Sequence, residues 1–402
     1  ILRLAQSADR RFANQIIQKG LRHGFGQRRC DNTRMDRIDA DALGCVFQRR
    51  RLGHPPHRAL GEILKENQDK IINADKLGFE YAYVGEHYSC TTEQIASPLI
   101  FFASLINQTK NIKFATGVMG LPQHHPVIVA NEVAQLDHMS GGRFVWGIGP
   151  GGLASDLEVF EHNDHAERNE MLAEHLRIVL DIWKSDPPYD IKGKYWNVKI
   201  ENSIYPELGI GSMSKPFQLP HPPIHISTMS PDSPTVALAA RKGWVPITAN
   251  FCPHETVYGH WKQYVAGCEA VGRAPTGEDW SVARNFLIGE SDAQAEDWMM
   301  DPKGSSHYYY DYMWKVLLAA DYTTVGKPDP TISNEDWGVE RFMRSSIIWG
   351  SKKTVLEKIM DLREKSGPFG TLLMAMTDGT GANFEREHLT MQRLAEIRPL
   401  IK

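Results

Sequence analysis

The sequence predicts an α/β protein, a (β/α)8 TIM barrel with insertions and a poorly formed first strand. Two observations lead to this fold: short apolar segments typical of buried strands recur along the chain, and segments of helical periodicity separate them. Strands that alternate with helices of roughly 10–15 residues indicate parallel βα units. About eight such units favour a closed barrel over an open, doubly wound sheet. The 402 residues suit one such barrel with insertions.

The predicted elements follow one another regularly after residue 53. Strands are expected near residues 82, 115, 146, 226, 246, 284 and 373, and helices over residues 60–77, 96–107, 126–139, 168–183, 235–240, 255–271, 353–365 and 384–397. An eighth strand should precede the first helix, where only residues 43–47 are available. Two long segments, 186–223 and 291–340, interrupt the repeat. We expect them to supply most of the substrate pocket, because long loops in compact domains are usually functional.

Composition excludes several classes of function. A net charge of −4 offers no basic footprint for nucleic acid, and no apolar segment is long enough to span a membrane. The cysteines are odd in number and never paired as CxxC, which suggests neither a disulfide framework nor a zinc site; they are Cys30, Cys45, Cys90, Cys252 and Cys268. The expected environment is therefore a reducing cytoplasm, and the expected ligands are small molecules.

Residues 1–53 differ in composition and charge from residues 54–402, which form the predicted barrel domain. Residues 1–58 contain 13 Lys and Arg but 5 Asp and Glu, a local balance of +8 in a chain of net charge −4. A cleaved targeting peptide and a nucleic-acid-binding arm are two explanations, although the four Asp between residues 31 and 41 argue against the first. We favour a third, that much of this segment comes from upstream or out-of-frame translation.

The sequence Val84-Gly85-Glu86-His87-Tyr88 ends a predicted buried strand and is the main candidate for chemistry. The carboxyl ends of barrel strands open onto the active-site loops, so His87 should face the mouth of the barrel. Its unperturbed pKa near neutrality, ~6.5, would suit either a proton donor or a proton acceptor. An ordinary surface or core histidine remains the alternative here, since the chain has 16 histidines.

Three further motifs suggest a nucleotide site, a metal site and a nucleophile, but the residues around them do not support these functions. The glycines of residues 147–152 resemble a dinucleotide fingerprint, but Pro150 and the following residues do not start a helix. The histidines at 124–125 and 162–165 lie in predicted loops without the spacing of a metal site, so we expect no metal. Cys90, close to His87, has no obvious third partner and is expected to line a pocket.

Several segments, in their order and spacing, resemble the bacterial luciferase-like flavin monooxygenases. They are Gly85-Glu86-His87, Ala96-Ser97-Pro98, residues 116–126, residues 136–144 and the strand with Gly147-Ile148-Gly149. The resemblance is strong over residues 54–180 and looser beyond them. Within the family, the chain is most similar to the limonene monooxygenase branch.

The resemblance implies a barrel that binds reduced flavin, FMN or FAD, non-covalently and reacts it with O2 without a metal. His87 would lie beside the reactive edge of the flavin and assist the oxygen chemistry. Gly117 and Val118 would pack against the flavin ring at a strand end that often carries a non-prolyl cis peptide. Asp156 would lie near the ring. Tyr88 stands where the luciferases have a second histidine, which argues against aldehyde chemistry.

The resemblance also implies a phosphate site. Arg168 matches a phosphate-binding arginine of the family, and Ser230 and Ser233, next to Met229, match a hydroxyl pair ahead of a helix. A helix N-terminus with hydroxyl donors and a positive charge suits a phosphate, although a plain helix cap at these serines and a solvated helix position for Arg168 remain alternatives. Pro150 replaces an arginine of the luciferases, so Arg168 would carry more of the charge.

The expected function is a flavin-dependent monooxygenase that oxygenates a small, mostly apolar substrate such as a terpene, ketone or aldehyde. No nicotinamide site is visible, so a separate flavin reductase should supply the reduced flavin, and a homodimer is expected. Two alternatives stay open: a deazaflavin (F420)-dependent dehydrogenase on the same barrel, and a non-catalytic flavin-binding relative. The sequence does not identify the substrate.

Overall fold

The computed structural model describes residues 44–49, 58–377 and 382–401, and the first of these ranges only in its backbone pairing. Within these ranges eight parallel strands form the barrel: β1 Gly44–Arg49, β2 Tyr81–Val84, β3 Lys113–Thr116, β4 Phe144–Gly149, β5 Ile224–Thr228, β6 Val245–Thr248, β7 Ser281–Ile288 and β8 Thr371–Ala375. Each strand pairs with the next, and β8 pairs with β1, which closes the ring. The predicted TIM barrel is confirmed, and all seven strands expected after residue 53 are present.

The first strand is better formed than its sequence suggests. Five residue pairs join β1 to β8, from Gly44 with Thr371 to Gln48 with Ala375, and three join β1 to β2. Ladder hydrogen bonds come from the backbone, so two flanking strands can hold a segment of weak local propensity. The barrel therefore begins ahead of the boundary expected at residue 54. The rest of the atypical segment, residues 1–43 and 50–53, lies outside the described residues.

Helices surround the barrel, and most of them start and end within a few residues of the predicted positions. In chain order they are α1 Leu60–Lys76, α2 Pro98–Ala103, α3 Pro126–Ser140, α4 Ala154–Val159, α5 His165–Lys184, α6 Pro234–Lys242, α7 His254–Glu269, α8 Asp292–Met300, α9 Ser305–Ala319, α10 Asn334–Ser346, α11 Lys352–Ser366 and α12 Ala382–Ile397. Local signals mark several ends. Ser97 accepts a hydrogen bond from the Ile100 N–H at the start of α2, and Gly141 ends α3 in the left-handed region.

The barrel interior holds a small apolar core. The fully or nearly fully buried side chains of the interior are Tyr83, Ala115, Val145, Ile247, Ala283 and Leu373. Because side chains alternate along a strand, most inward positions nearer the carboxyl ends fall on small residues, namely Gly85, Gly117, Gly149, Ser227 and Ala375, whereas β7 places Asn285 there. Apolar side chains therefore fill the middle of the barrel, and smaller residues line much of its mouth.

The first long segment, residues 186–223, does not lie at the mouth as expected. It contains the hairpin Tyr189–Ile191 with Val198–Ile200 and packs against the ends of α3 and α5, where Asp137 accepts hydrogen bonds from Gln218 and Lys215 donates to the Ile182 carbonyl. It connects a helix to a strand, and in a barrel such connections lie at the amino ends of the strands, opposite the active site. Its length therefore does not indicate a pocket-forming role.

The second long segment follows β7 and lies on the mouth side. Its residues form α8, α9 and α10 instead of a loop, and residues Ile347–Gly350 then pair with β7. The tyrosines of α9 reach the ends of barrel strands: Asn250 donates a hydrogen bond to the Tyr309 hydroxyl, and the Tyr310 hydroxyl donates to Asn285. An aromatic helix thus covers part of the barrel mouth. Within the described ranges, no helix combines the length and the apolarity needed to cross a membrane.

Candidate active site

His87 lies between two carboxylates just beyond β2. Its Nδ1 is 3.0 Å from Asp156 Oδ2, and its Nε2 is 3.0 Å from Glu93 Oε2. The imidazole side chain is 26% exposed, whereas the Asp156 and Glu93 side chains are 3% and 8% exposed. Both ring nitrogens are therefore engaged, while part of the ring still faces the barrel mouth.

Asp156, on α4, is held by the turn that follows His87. Its Oδ1 accepts hydrogen bonds from the backbone N–H groups of Tyr88 at 3.1 Å and Ser89 at 2.8 Å, and from the Ser89 hydroxyl at 2.5 Å. Burial raises the pKa of Asp156, but the hydrogen bonds from His87 and Ser89 and the positive charge of His87 outweigh burial and lower it to about 2. Asp156 is therefore a fixed negative charge.

The two carboxylates decide the protonation state of His87. Burial lowers the pKa of the imidazole, but the charge of Glu93 and the hydrogen bonds with Asp156 and Glu93 raise it to about 10. The ring is consequently an imidazolium at neutral pH, with a proton on each nitrogen. The sequence left donor and acceptor roles open, and the structure favours the donor.

A second polar group lies on the other side of the same turn. Buried Glu86 accepts hydrogen bonds from the Gly120 N–H at 2.7 Å and from His124 Nε2 at 2.9 Å. The Tyr88 hydroxyl lies 3.0 Å from the same His124 nitrogen, and the Tyr88 ring packs edge-on against Phe160. His124 thus acts within a hydrogen-bond network, and no group of three or more potential metal ligands occurs in the part of the chain that the structure describes.

The Gly117–Val118 peptide bond is cis, as the resemblance implies. It lies close to the end of β2, since a Cβ at Gly117 would be 3.0 Å from the Tyr83 Cβ and a Cβ at Gly85 would be 3.3 Å from the Gly117 carbonyl oxygen. Val118 in turn approaches β4, where a Cβ at Gly149 would be 2.7 Å from a Val118 methyl group. Glycines therefore permit the close approach of β2, β3 and β4 at the mouth.

The predicted phosphate loop, Met229 to Ser233, connects β5 to α6. Ser233 is buried at the N-cap of α6, yet its hydroxyl caps no backbone N–H of that helix. Backbone carbonyls anchor the loop: the Cys252 thiol donates to the Met229 carbonyl at 3.2 Å, and His260 Nε2 lies 2.8 Å from the Ser230 carbonyl. The loop is held from behind, and the Ser233 side chain is not used by the helix that follows it.

His260 on α7 completes that anchor. Burial lowers its pKa to about 4, so the ring is neutral, with one donor and one acceptor nitrogen. Because Nε2 must donate to the Ser230 carbonyl, Nδ1 accepts from the Thr248 hydroxyl at 2.9 Å, and Thr248 accepts in turn from the Trp280 indole N–H at 3.2 Å. A chain of hydrogen bonds thus ties the loop to β6 and the start of β7.

Arg168 is buried near the start of α5. Its Nη1 donates to the carbonyls of His162 at 2.9 Å and Asn163 at 2.8 Å, and its Nε is buried without a hydrogen-bond partner. Burial lowers the pKa of its guanidinium. Arg168 therefore braces the turn before α5, and its role towards a phosphate stays a prediction. Neither Arg168 nor Ser233 hydrogen-bonds to the His87 group among residues 58–377.

Sequence reasoning missed two residues of this site, Glu93 and His260. Glu93 lies outside every predicted strand and helix. It reaches the imidazole because the chain turns back between residues 87 and 95, where the His87 N–H donates to the Ile95 carbonyl. His260 lies within a predicted helix as one of 16 histidines. Its position on α7, packed behind the Ser230 carbonyl, becomes visible only in three dimensions.

A closed parallel barrel that brings a histidine with two carboxylates and the Met229–Ser233 loop to the carboxyl ends of its strands has the architecture of a barrel enzyme. The chain belongs to the luciferase-like monooxygenase family, whose sequence profile matches residues 45–368. The predicted resemblance is thereby confirmed, as is the predicted enzyme class, an oxidoreductase of the flavin-dependent monooxygenase type.

Named relatives cover most of the chain. It is 28% identical over 316 residues to 4-hydroxyprotoasukamycin monooxygenase of Streptomyces nodosus subsp. asukaensis, covering 76% of this chain and 78% of that protein. It is 26% identical over 330 residues to limonene 1,2-monooxygenase of Rhodococcus erythropolis, covering 80% and 78%. The limonene enzyme expected from the sequence is thus among its relatives.

Solved structures show the same fold. The oxygenating constituent of 3,6-diketocamphane monooxygenase from Pseudomonas putida, in complex with FMN, has a TM-score of 0.79 at 24% identity, covering 90% of this chain and 99% of that chain. An F420-dependent secondary alcohol dehydrogenase has a TM-score of 0.66 at 16% identity, covering 90% and 99%. At these identities the likeness concerns the fold alone.

Proposed function

We propose that this protein uses reduced FMN and O2 to insert one oxygen atom into a small, mostly apolar organic molecule. The observation that carries the proposal is the His87 imidazolium, held between Asp156 and Glu93 at the mouth of the barrel. The choice of cofactor is supported by the related diketocamphane enzyme, which was solved in complex with FMN. The choice of substrate class is supported by the related limonene 1,2-monooxygenase, whose name gives a terpene as its substrate.

Three features of the chain's own atoms fit a flavin. Ser227 and Ala375, small residues at inward positions of the mouth, present little side-chain bulk to a planar ring. The Ser233 hydroxyl is not used as a helix cap, which suits a phosphate at the N-terminus of α6. The buried Nε of Arg168 has no partner and could donate to an anionic group.

In this proposal the bound reduced flavin supplies the electrons for oxygen activation, and the chain controls protons and water. His87 holds a proton on each ring nitrogen and places its positive charge beside oxygen atoms that gain negative charge, and it donates a proton to them only when one N–H leaves its carboxylate. Gly117 and Val118 hold the ring position, and Asp156 orients the imidazole. Aromatic α9 limits the access of bulk water to the mouth.

The apolar substrate class rests on the second hydrophobic cluster, which gathers on the mouth side of β6 and β7. Buried Tyr310, Met313 and Trp314 of α9 belong to it, and Met229 of the phosphate loop packs at its margin. A substrate held between this cluster and His87 would meet mainly apolar side chains. The proposal also includes a separate flavin reductase, because the related diketocamphane protein is the oxygenating constituent of its enzyme. It further includes a homodimer, in which the partner would cover Ile100, whose side chain on α2 is 75% exposed.

Anaerobic titration of the purified protein with reduced FMN and with reduced FAD tests the cofactor assignment. We expect reduced FMN to bind, and the double variant Ser230→Ala/Ser233→Ala to raise its dissociation constant by roughly tenfold or more, because two hydroxyl donors are lost. Oxygen uptake and product formation with apolar ketones and terpenes then test the activity. A folded protein that binds neither reduced flavin, or binds one without consuming oxygen, would refute the proposal, and hydride transfer from reduced F420 would support the dehydrogenase instead.

Replacement of His260 by Ala should loosen the phosphate loop without touching the chemistry. The loop loses the hydrogen bond to the Ser230 carbonyl, so we expect the dissociation constant of reduced FMN to rise by roughly tenfold, with kcat unchanged at saturating FMN. His260→Gln can still donate to that carbonyl and should recover much of the affinity. A kcat that falls while the affinity is preserved would contradict this role of His260.

A further inference from the structure

We propose that Glu93 is a positioning residue that, from the side opposite Asp156, keeps His87 doubly protonated and fixes the plane of its ring. The proposal deepens the proposed function, on which it rests for its meaning in catalysis, and it assigns a role to a residue that no sequence motif marks. Glu93 Oε2 lies 3.0 Å from His87 Nε2, and the Glu93 side chain is 8% exposed.

The assignment follows from the number of N–H groups that the His87 ring needs for its two hydrogen bonds. Asp156 receives two backbone N–H groups and the Ser89 hydroxyl besides His87 Nδ1, so it is an ionised acceptor. An ionised carboxylate only accepts hydrogen bonds, and a neutral imidazole has only one N–H to donate. Because the Nδ1–H donates to Asp156, a hydrogen bond donated from Nε2 to the Glu93 carboxylate requires a second proton on the ring.

The turn between His87 and Ile95 holds Glu93 in place. The His87 N–H donates to the Ile95 carbonyl at 3.1 Å, and the Glu93 N–H donates to the Cys90 carbonyl at 3.2 Å, so the turn folds back onto its own beginning. The carboxylate thus reaches the imidazole from a short, internally bonded segment. Little conformational freedom has to be lost for Glu93 to meet His87.

Helix α9 closes this turn from outside. The Tyr312 hydroxyl lies 3.8 Å from the Cys90 sulfur, and burial together with the nearby charge of Glu93 raises the pKa of Tyr312. Tyr312 is therefore a neutral phenol that shields the pair from water. Shielding strengthens a charge-assisted hydrogen bond, because the local dielectric constant is lower than that of water.

The charged groups that contact His87 are both negative. They are Asp156 on α4 and Glu93 in the same turn, whereas Glu86 at the strand end is bonded to His124. No Lys or Arg forms an ion pair with Glu93 or Asp156 in the part of the chain covered by residues 58–377. The surroundings of His87 are thus negative, which favours the imidazolium and agrees with its raised pKa.

The consequence is a histidine that is an acid throughout the physiological range. A raised pKa in the folded protein means that the proton is retained as the pH rises through neutrality and is released only in alkaline solution. His87 would then act by donation and not by abstraction of a proton. Without Glu93, a neutral His87 ring can still donate its one N–H to Asp156. The proton on Nε2 would then be released at a pH closer to neutrality.

NMR of the flavin-free protein with 15N-labelled histidine tests the proposal independently of activity, and comparison with His87→Gln assigns the resonances. We expect the wild-type His87 ring to remain doubly protonated to about pH 9 and Glu93→Gln to lower its titration point by at least roughly one pH unit. Glu170→Gln, a matched change at an exposed glutamate of α5 that pairs with Lys194, should leave it unchanged. A wild-type His87 that titrates near its ordinary ~6.5 would overturn the proposal, as would a Glu93→Gln variant with an unaltered titration.

The activity test separates this proposal from the proposed function. In the holoenzyme with reduced FMN, the alkaline limb of the oxygenation rate should move to lower pH in Glu93→Gln, while the dissociation constant of FMN stays within about twofold. Glu93→Asp, which keeps the charge, should move the limb less than Glu93→Gln. An equal loss at every pH would refute the positioning role, whereas a wild-type protein that shows the NMR behaviour but oxygenates nothing would refute only the monooxygenase function.

Discussion

Replacing His87 by Ala is expected to lower the rate of substrate oxygenation by about 100- to 10,000-fold, the usual contribution of a positioned acid or base. The variant loses the proton donor at the mouth and leaves Asp156 and Glu93 facing each other without a cation between them. Oxygen consumption should persist in part, with the reducing equivalents released as hydrogen peroxide. The measurement compares product formed and peroxide released per equivalent of reduced FMN supplied.

His138→Ala is the control for this experiment. His138 lies near the end of α3, at the amino-terminal end of the barrel strands, where its Nε2 contacts the Lys215 carbonyl. We expect it to keep the wild-type ratio of product to peroxide. A His87→Ala protein that is folded, binds reduced FMN and oxygenates at the wild-type rate would show that the imidazolium has no catalytic role and would favour a binding function for the site.

The second large effect is expected at Gly147, on β4. An ideal Cβ at this position would lie 1.8 Å from the Thr116 carbonyl oxygen, a distance that no packing adjustment of a side chain can relieve. The Thr116 hydroxyl also donates to the Gly147 carbonyl at 2.7 Å and accepts from its N–H at 2.8 Å. Gly147→Ala must therefore separate β3 from β4. We expect the free energy of unfolding to fall by about 3 kcal/mol or more.

Thermal and denaturant unfolding followed by circular dichroism provide the measurement, with a fall in Tm of roughly 6 °C or more. Gly61→Ala is the matched control, because a Cβ at Gly61 on α1 would meet no atom within 4 Å. In a helix, this change should preserve stability or raise it by up to about 1 kcal/mol. Equal Tm values for Gly147→Ala and the wild type would contradict the close contact between β3 and β4.

The glycines of residues 147–152 illustrate how a motif can be misleading. On the sequence they resemble a nucleotide-binding fingerprint, which the absence of an immediate helix argued against. In the structure, Gly147 permits contact with the β3 backbone and Gly149 permits contact with Val118. Their absent side chains thus serve strand packing at the mouth. Spacing alone does not separate these uses of glycine, because each requires only the absence of a Cβ.

Local periodicity was sufficient for the regular elements. The strands at Phe144–Gly149 and Ser281–Ile288, and helices such as Pro126–Ser140, were predicted within a residue or two, since their signals lie within short windows. The same order of elements placed His87 at the mouth, because the carboxyl end of every barrel strand faces that side. The weak first strand was underestimated, since its stability comes from β8 and β2 and not from its own residues.

The sequence alone determined the barrel, its family resemblance and His87 as the candidate for chemistry. Only the tertiary structure decided how that histidine is charged: Asp156 comes from 69 residues away along the chain and Glu93 from an irregular turn. It also decided that residues 186–223 lie away from the mouth and that His260 anchors the Met229–Ser233 loop through the Ser230 carbonyl. The physical reason is that secondary structure depends on neighbours in sequence, whereas protonation and pocket shape depend on neighbours in space.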